Sequence, residues 1–547
     1  MHFLNNGSGY TLFREEADAY TYVDKSLLID EVYRYARRVK KYICVTKPRR
    51  FGKTVAANMI AAFFDESVAE KSRKMFREMK IAGLERAQEL LRQNTEDETK
   101  LTGLCWLQQG KHKVFHLNMI HLLTPEVETY QDFYQNIRDF FLMDLKNAYP
   151  DLTFREKAGI AEAISSTGDQ FIFVIDEWDA VFEMDFMTSG DKEKYLLFLR
   201  SLLKDKSYVH FAYMTGILPI AKYSSGSPLN MFDEFSAFDD VTFSSYFGLS
   251  VDEIKTLIEK RGFTKPSMYD LTFWYDGYIR DSDDEHLFNP NSVTRALTNG
   301  RCKNYWTGTG PMNEVSDLIR YNVHDLREDV IRMVGGEALE IDLRGFSIEK
   351  SKISTKNEIL SAMVVYGFLI YHNGKLRIPN HELMLKFQEA LSSETLGLRQ
   401  TLEESQKLMD ATLNQQDHEV ARILETLHDE KIPFFVYHDE NSLSCVVVIG
   451  YLAALNDYVI TREDKAGKGY VDFLFIPHNK SKPAIVLELK YNHSAKNAID
   501  CIKKKAYMQK VKDYSRVLLV GLNFSEATKK HTCITEMIRG NKESSEN

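Results

Sequence analysis

The chain has 547 residues, room for about three or four domains at roughly 100–200 residues each. Hydrophobic residues make up 44% and charged residues 27%, the balance of an ordinary folded protein, which excludes fibrous, collagen-like and mainly disordered classes. The net charge of −9 argues against a surface that is basic throughout, yet the charge is uneven: residues 461–547 hold 17 Lys/Arg against 10 Asp/Glu, a balance of +7, and the preceding part carries −16.

The six cysteines contain no Cys-x-x-Cys pair and are too sparse for a disulfide framework. The opening residues lack the apolar core of a signal peptide, and no run of about 18 apolar residues would span a membrane. A cytoplasmic, reducing location without membrane attachment is the expectation.

In chain order, apolar strands are expected at Tyr42–Thr46, Val114–Asn118, Phe171–Ile175 and Val209–Thr215, with amphipathic helices between them such as Val55–Phe64 and Lys194–Leu203. That alternation predicts a parallel sheet covered by helices over residues 1–245. Residues 246–395 read as short helices, Ser250–Lys260, Pro290–Thr298, Val315–Tyr321 and Lys356–Tyr366, followed by a hairpin turning on Asn373-Gly374. A helical lid and a winged-helix unit both fit this middle region. Residues 396–435 read as an acidic helical connector. Residues 436–547 read as a compact α/β unit: a helix at Val446–Leu455, strands at Tyr470–Ile476 and Ala484–Lys490, a helix at Ala495–Lys512 and a strand at Val517–Leu522.

Two segments carry chemistry. In Tyr42-Ile-Cys-Val-Thr-Lys-Pro-Arg-Arg-Phe-Gly-Lys-Thr54 a strand feeds a turn, and Gly52-Lys53-Thr54 opens a helix. A phosphate-binding loop needs backbone N–H groups at a helix N-terminus, a lysine for the β/γ-phosphates and a hydroxyl for Mg²⁺. Gly52, Lys53 and Thr54 supply these in order, although Lys47 stands where the eight-residue motif has its first glycine. The strand Phe171-Ile-Phe-Val-Ile-Asp-Glu177 ends in two carboxylates: Asp176 for Mg²⁺, Glu177 to polarise an attacking water. Together they point to ATP and Mg²⁺ as cofactors. Thr215, at the end of the next strand, is a candidate γ-phosphate sensor or simply a strand end, and Arg49, Arg50 and Arg200 are candidate phosphate contacts.

Near the C-terminus, alternation places Ala484, Val486, Glu488 and Lys490 on one strand face, with Asp472 on the adjacent strand. Asp472 and Glu488 could bind Mg²⁺ while Lys490 orients water and stabilises charge at a phosphate, which is metal-assisted phosphodiester hydrolysis. A cross-strand salt bridge fits the same residues. The helix beyond it carries Lys503, Lys504, Lys505, Lys510 and Lys512, either a solvated basic face or a contact surface for nucleic-acid phosphates.

These segments resemble bacterial AAA-ATPase-like proteins that carry a C-terminal domain of the PD-(D/E)XK nuclease superfamily. The resemblance runs through Tyr22-Val-Asp-Lys25, Lys47-Pro-Arg-Arg-Phe-Gly-Lys-Thr54, Ile175-Asp-Glu-Trp-Asp179, Thr215-Gly-Ile-Leu218, Tyr246-Phe-Gly-Leu-Ser250, Trp274-Tyr-Asp-Gly-Tyr278, Phe288-Asn-Pro-Asn-Ser292, Ile378-Pro-Asn-His-Glu382, Asp472 and Glu488-Leu-Lys490. It implies an N-terminal P-loop NTPase fold, with Arg49 to Thr54, Phe51 included, Asp176 and Thr215 at the nucleotide, and a C-terminal restriction-endonuclease-like fold acting on DNA. Proteins of this kind often assemble as homo-oligomers. The sequence departs from the family at Asn441, in a stretch that often carries a Glu and then an aromatic and a His, and at Cys501, where a Gln is usual. These departures leave two readings open: an ATP-coupled nuclease, and an ATP-driven switch or scaffold whose nuclease-like domain only binds nucleic acid or a partner.

Overall fold

The structure, a computed structural model, describes residues 2–84, 103–153, 155, 158–220, 228–236, 240–280, 283–306, 326–334, 337–343, 355–392, 398–428, 440–461, 472–477, 479, 481–504, 511 and 514–539. The expected helix Val315–Tyr321 and residues Lys505, Lys510 and Lys512 lie outside this set. The chain forms two compact units, one of residues 1–306, 342–374 and 379–382, the other of 307–341, 375–378 and 383–547.

The first unit is built on five strands: β1 (Tyr42–Thr46), β2 (Lys113–Asn118), β3 (Phe171–Asp176), β4 (Val209–Gly216) and β5 (Asp233–Phe235). They lie in the order β2-β3-β4-β1-β5, every pair parallel. The four longer strands are near-continuous apolar runs because helices cover both faces of a parallel sheet. The helix Lys53–Phe64 follows β1 and buries Ile60, Phe63 and Phe64 completely. Each such side chain contributes about 1.5–3 kcal/mol when fully buried. The β2 edge is covered by the N-terminal residues: Leu4 bridges Phe115, and Asp144 accepts the Phe3 and Leu4 N–H groups at 2.5 and 3.1 Å.

The same unit continues through β6 (Leu249–Ser250), β7 (Asp276–Ile279) and β8 (His286–Phe288), an antiparallel sheet ordered β6-β8-β7. Its helices start with designed-looking caps. Ser250 and Glu253 form a capping box for Val251–Arg261, and Thr355 and Glu358 form one for Lys356–Tyr366. Gly277 marks a register shift in β7 at φ +136, where the Pro379 carbonyl would lie 1.7 Å from an added Cβ, so only glycine fits.

In the first unit β10 (Ile370–His372) runs into a turn at Asn373 and Gly374, and the second unit pairs β9 (Leu339–Glu340) with β11 (Lys375–Arg377). Both turn residues have positive φ, 50° and 76°, as the sequence predicts. Its main sheet is β12 (Tyr458–Thr461), β13 (Phe473–Pro477), β14 (Ala484–Tyr491), β15 (Arg516–Ser525) and β16 (Lys530–Arg539), in that order. Only β14 and β15 pair in parallel. The helix Ala495–Lys504 supplies that parallel connection and buries Ala495, Ala498, Ile499 and Ile502 on the sheet. Gly521 permits this packing, since a Cβ there would sit 2.4 Å from the Ala495 carbonyl.

Candidate functional site

The loop between β1 and its helix carries backbone geometry suited to anions. Arg50 and Gly52 have φ 67° and 92°, while Phe51 between them does not. Such alternation turns successive N–H groups toward one concavity. The first intrahelical bond is Ala56 N–H to the Gly52 carbonyl, so the preceding N–H groups lack intrahelical partners and the positive end of the helix dipole is open. Lys53 is 4% exposed, and its ammonium donates to the Pro48 carbonyl at 3.0 Å. Burial lowers its pKa, opposed by the charges of Glu177, Asp179 and Asp176.

Asp176 ends β3 fully buried. Asn118 donates to its Oδ2 at 3.0 Å, while Oδ1 has no hydrogen-bond partner. Burial first, then the Glu177 charge, push its pKa up to about 7, and the Thr54 hydroxyl and Lys53 work against that rise. A buried, partnerless carboxylate oxygen beside a hydroxyl is a donor set that fits a small hard cation. Glu177 is half-buried in a left-handed conformation at φ 52, a position a non-glycine residue holds only when its surroundings impose it.

Several expected contacts resolve differently. Thr215 is fully buried and its hydroxyl donates to the Val45 carbonyl at 2.8 Å, which ties β4 to β1. Phe51 is buried with its ring edge-on to Tyr278 at 4.8 Å, an anchor for the loop. The Arg50 guanidinium donates to the Tyr305 carbonyl at 2.9 Å, and Arg49 meets Glu183 at 3.3 Å. Arg200 stands one turn from Leu203, whose carbonyl accepts from the hydroxyl of Tyr42, the first residue of β1. That sets the end of this helix against the end of β1 opposite the loop.

In the second unit, the pairings Phe473 with Leu487 and Leu474 with Val486 bring Asp472 beside Glu488. Asp472 Oδ2 accepts the Leu489 N–H at 2.6 Å, and the Lys490 ammonium meets Glu488 Oε1 at 3.0 Å. Glu488 is 2% exposed. Leu474, Ala484 and Val486 share one core with Ile499 and Ile502, so alternation puts Asp472, Glu488 and Lys490 on the face that carries the helix Ala495–Lys504. Two carboxylates and a lysine therefore meet at one end of this face. Their oxygens are suited to Mg²⁺, although no group of three or more His, Cys, Asp and Glu side chains able to hold a metal occurs among the described residues. Cys501 is half-buried on that helix, and the Asn441 side chain lies outside the described residues. Lys503 pairs with Glu536 of β16 at 2.6 Å, so it is partly neutralised, whereas Lys504 is exposed.

Comparison with known families agrees with the two domains. Residues 9–225 match the family model for predicted AAA-ATPases, and residues 438–533 match that for the PD-(D/E)XK nuclease superfamily. The chain joins an AAA-ATPase-like domain to a PD-(D/E)XK nuclease-superfamily domain. No curated protein matches it. Among solved structures it is similar to the Walker-type ATPase PABY2304 of Pyrococcus abyssi, at 10% identity and a TM-score of 0.32, over 65% of this chain and 94% of that one. It is also similar to the ORC2 protein of Aeropyrum pernix, solved as ADPNP-ADP complexes, at 11% identity and a TM-score of 0.28, over 66% of this chain and 92% of that one. Both superpositions are loose. Among the described residues no helix is long and apolar enough to cross a membrane.

The AAA-ATPase-like domain also contains a residue that the sequence pattern did not single out. Asp179 is 5% exposed and accepts the N–H groups of Ile217 at 3.1 Å and Leu218 at 2.7 Å. Burial and the Glu177 charge raise its pKa to about 7, and the Leu218 N–H opposes this. It ties the acidic turn after β3 to the turn after β4. A run of acids after a buried strand signals a site, but not which acid faces the ligand and which holds the neighbouring turn. Lys47, which stands where the motif has its first glycine, is a second such residue. Its ammonium pairs with Asp240 at 2.6 Å, so it secures the loop.

Proposed function

We propose that the AAA-ATPase-like domain binds and hydrolyses ATP with Mg²⁺, and that the nuclease-superfamily domain hydrolyses phosphodiester bonds, with DNA as its partner. The observation that carries the first half is the buried Asp176 carboxylate, acted on by the Thr54 hydroxyl and the Lys53 charge, at a helix whose first N–H groups have no intrahelical partner. The loop N–H groups would cradle the phosphates, and Lys53 would leave the Pro48 carbonyl to place its charge at the β/γ-phosphates. Thr54 and Asp176 would hold Mg²⁺, which when bound neutralises charge on the phosphate oxygens. Glu177 would take a proton from the attacking water.

In the C-terminal domain, Asp472 and Glu488 would hold Mg²⁺, which supplies Lewis-acid activation of water and phosphate. Lys490 would orient the water and stabilise the charge that develops on the phosphate. The positive balance of residues 461–547 supports a polyanionic partner. Titrating wild-type protein and Asp176→Asn with ATP, with and without Mg²⁺, tests the nucleotide half. The proposal expects Mg²⁺ to strengthen binding in wild type and not in the variant, and equal Mg²⁺ dependence in both would contradict it.

A second reading, a nucleotide-controlled switch whose nuclease-like domain binds without cutting, is favoured by Cys501 in the helix beside Glu488 and by the small donor set there. Purified protein that binds DNA but never nicks it with Mg²⁺ or Mn²⁺ would support this reading over the first.

A further inference from the structure

The loop from Lys47 to Phe51 is gripped residue by residue by segments that follow the parallel sheet in sequence. Lys47 pairs with Asp240 at 2.6 Å. Pro48 lies against Gly367, where a Cβ would come within 2.5 Å of the proline ring. The Arg49 carbonyl accepts the Trp306 indole N–H at 3.3 Å. Arg50 donates to the Tyr305 carbonyl at 2.9 Å. Phe51 meets Tyr278 edge-on, and Tyr278 in turn donates to the Gly367 carbonyl at 2.7 Å.

Behind this grip sits one buried carboxylate. Glu382 is 1% exposed, and its Oε1 accepts the N–H groups of Tyr305 at 2.5 Å and Trp306 at 2.8 Å. Its Oε2 accepts the Ser292 hydroxyl at 2.7 Å. The two residues whose amides it holds are the two that reach Arg50 and Arg49. A chain of hydrogen bonds therefore runs from Glu382 to the point where Arg50 adopts φ 67, a conformation a non-glycine residue keeps only under external constraint. An ionised carboxylate accepts without donating, so it suits a position surrounded by donors.

We infer that Glu382 is a positioning residue of the nucleotide site: by fixing Tyr305 and Trp306 it holds Arg49 and Arg50 in the loop conformation in which the N–H groups converge. This rests on the reading of that loop as the nucleotide site. A glutamine would keep Oε1 for both amides and could donate to the Ser292 oxygen, so Glu382→Gln should preserve the geometry, whereas Glu382→Ala removes it. Trp306→Phe deletes the indole donor and keeps an aromatic ring, though a smaller one, against Phe368.

The test is ATP titration with Mg²⁺ and steady-state hydrolysis for wild type, Lys53→Ala, Glu382→Ala, Glu382→Gln and Trp306→Phe, with melting followed without nucleotide. Lys53→Ala should lose binding. Glu382→Ala should raise Kd and KM about tenfold with kcat within about threefold, since Asp176 and Glu177 are untouched. Glu382→Gln should stay within about threefold of wild type, and folded Trp306→Phe should weaken binding about threefold. Folded Glu382→Ala with wild-type affinity overturns the inference, as does Glu382→Gln as weak as Glu382→Ala. If Glu382→Ala does not fold, wild-type affinity in Trp306→Phe overturns it. Wild-type protein that binds no ATP overturns the nucleotide reading and this inference with it; binding lost in Lys53→Ala but kept in the other variants overturns this inference alone.

Discussion

The Asp179 carboxylate accepts the Leu218 N–H at 2.7 Å across the ends of two neighbouring strands. Gly216 allows the approach, because a Cβ there would lie 2.3 Å from Asp179 Oδ1 and 2.5 Å from the Trp178 ring. Gly216→Ala must push these groups apart and should cost about 1–3 kcal/mol of stability. Asp179→Ala leaves two buried N–H groups without an acceptor and should cost about 1–3 kcal/mol as well. Because both changes strike one contact, the double variant should lose clearly less than the two losses added together, which denaturant unfolding of all four proteins would show.

Lys53 and Glu177 should separate binding from chemistry. Lys53→Ala removes charge-assisted contacts worth about 3 kcal/mol, so ATP affinity should fall roughly a hundredfold. Glu177→Gln should keep ATP affinity while lowering kcat by about 10²–10⁴, the usual reach of general base catalysis. Calorimetric titration together with a phosphate-release assay checks both.

The pH response of the second unit should pass through His531. Burial, then the neighbouring His428, push its pKa down to about 3 from 6.5. Its nitrogen lies 3.4 Å from that of His428, and its ring packs on Phe524, with Cys533 and Asp417 on the same strand-and-helix contact. Between those pKa values the unfolded chain binds a proton that the folded one refuses. The stabilising effect is full above pH 6.5 and is lost as pH falls toward 3. Each such proton contributes a slope of about 1.4 kcal/mol per pH unit. His531→Phe should flatten the fall in unfolding midpoint between pH 6.5 and 4 by about one proton, and an unchanged slope would refute the assignment.

Nucleic-acid binding should distinguish two adjacent lysines. Lys504 is exposed, whereas Lys503 is held by Glu536 at 2.6 Å. Lys504→Ala should reduce the salt slope of DNA binding by about 0.9, and Lys503→Ala by less, in titrations across salt concentrations.

How far the sequence reached depends on the range of the contact. The strands β1 to β4 and the helix Lys356–Tyr366 fall where apolar runs and caps predict them, because local pattern and burial agree there. The sequence pattern gives no sign of β5, β6, β7, β8, β9, β12 or β16. Asp233–Phe235 is short and acidic, and Lys530–Arg539, the outer strand of its sheet, mixes polar and charged residues among its apolar ones, so neither shows an apolar run. The loop residues were found from spacing, but their partners were not. Asp240, Tyr305 and Glu382 lie far along the chain, and a motif reveals which residues matter before it reveals what they touch. Thr215 and Arg50 illustrate this: their hydrogen bonds to the Val45 and Tyr305 carbonyls could not be read from the motif.

The proposed cutting by the nuclease-superfamily domain is tested most directly by plasmid cleavage with Mg²⁺ by wild-type protein and Asp472→Ala, with ATP affinity measured on the same preparations. The account predicts nicking by wild type, none by Asp472→Ala, and equal ATP affinity in both. Plasmid left intact by wild type, or cut equally by Asp472→Ala, would contradict it.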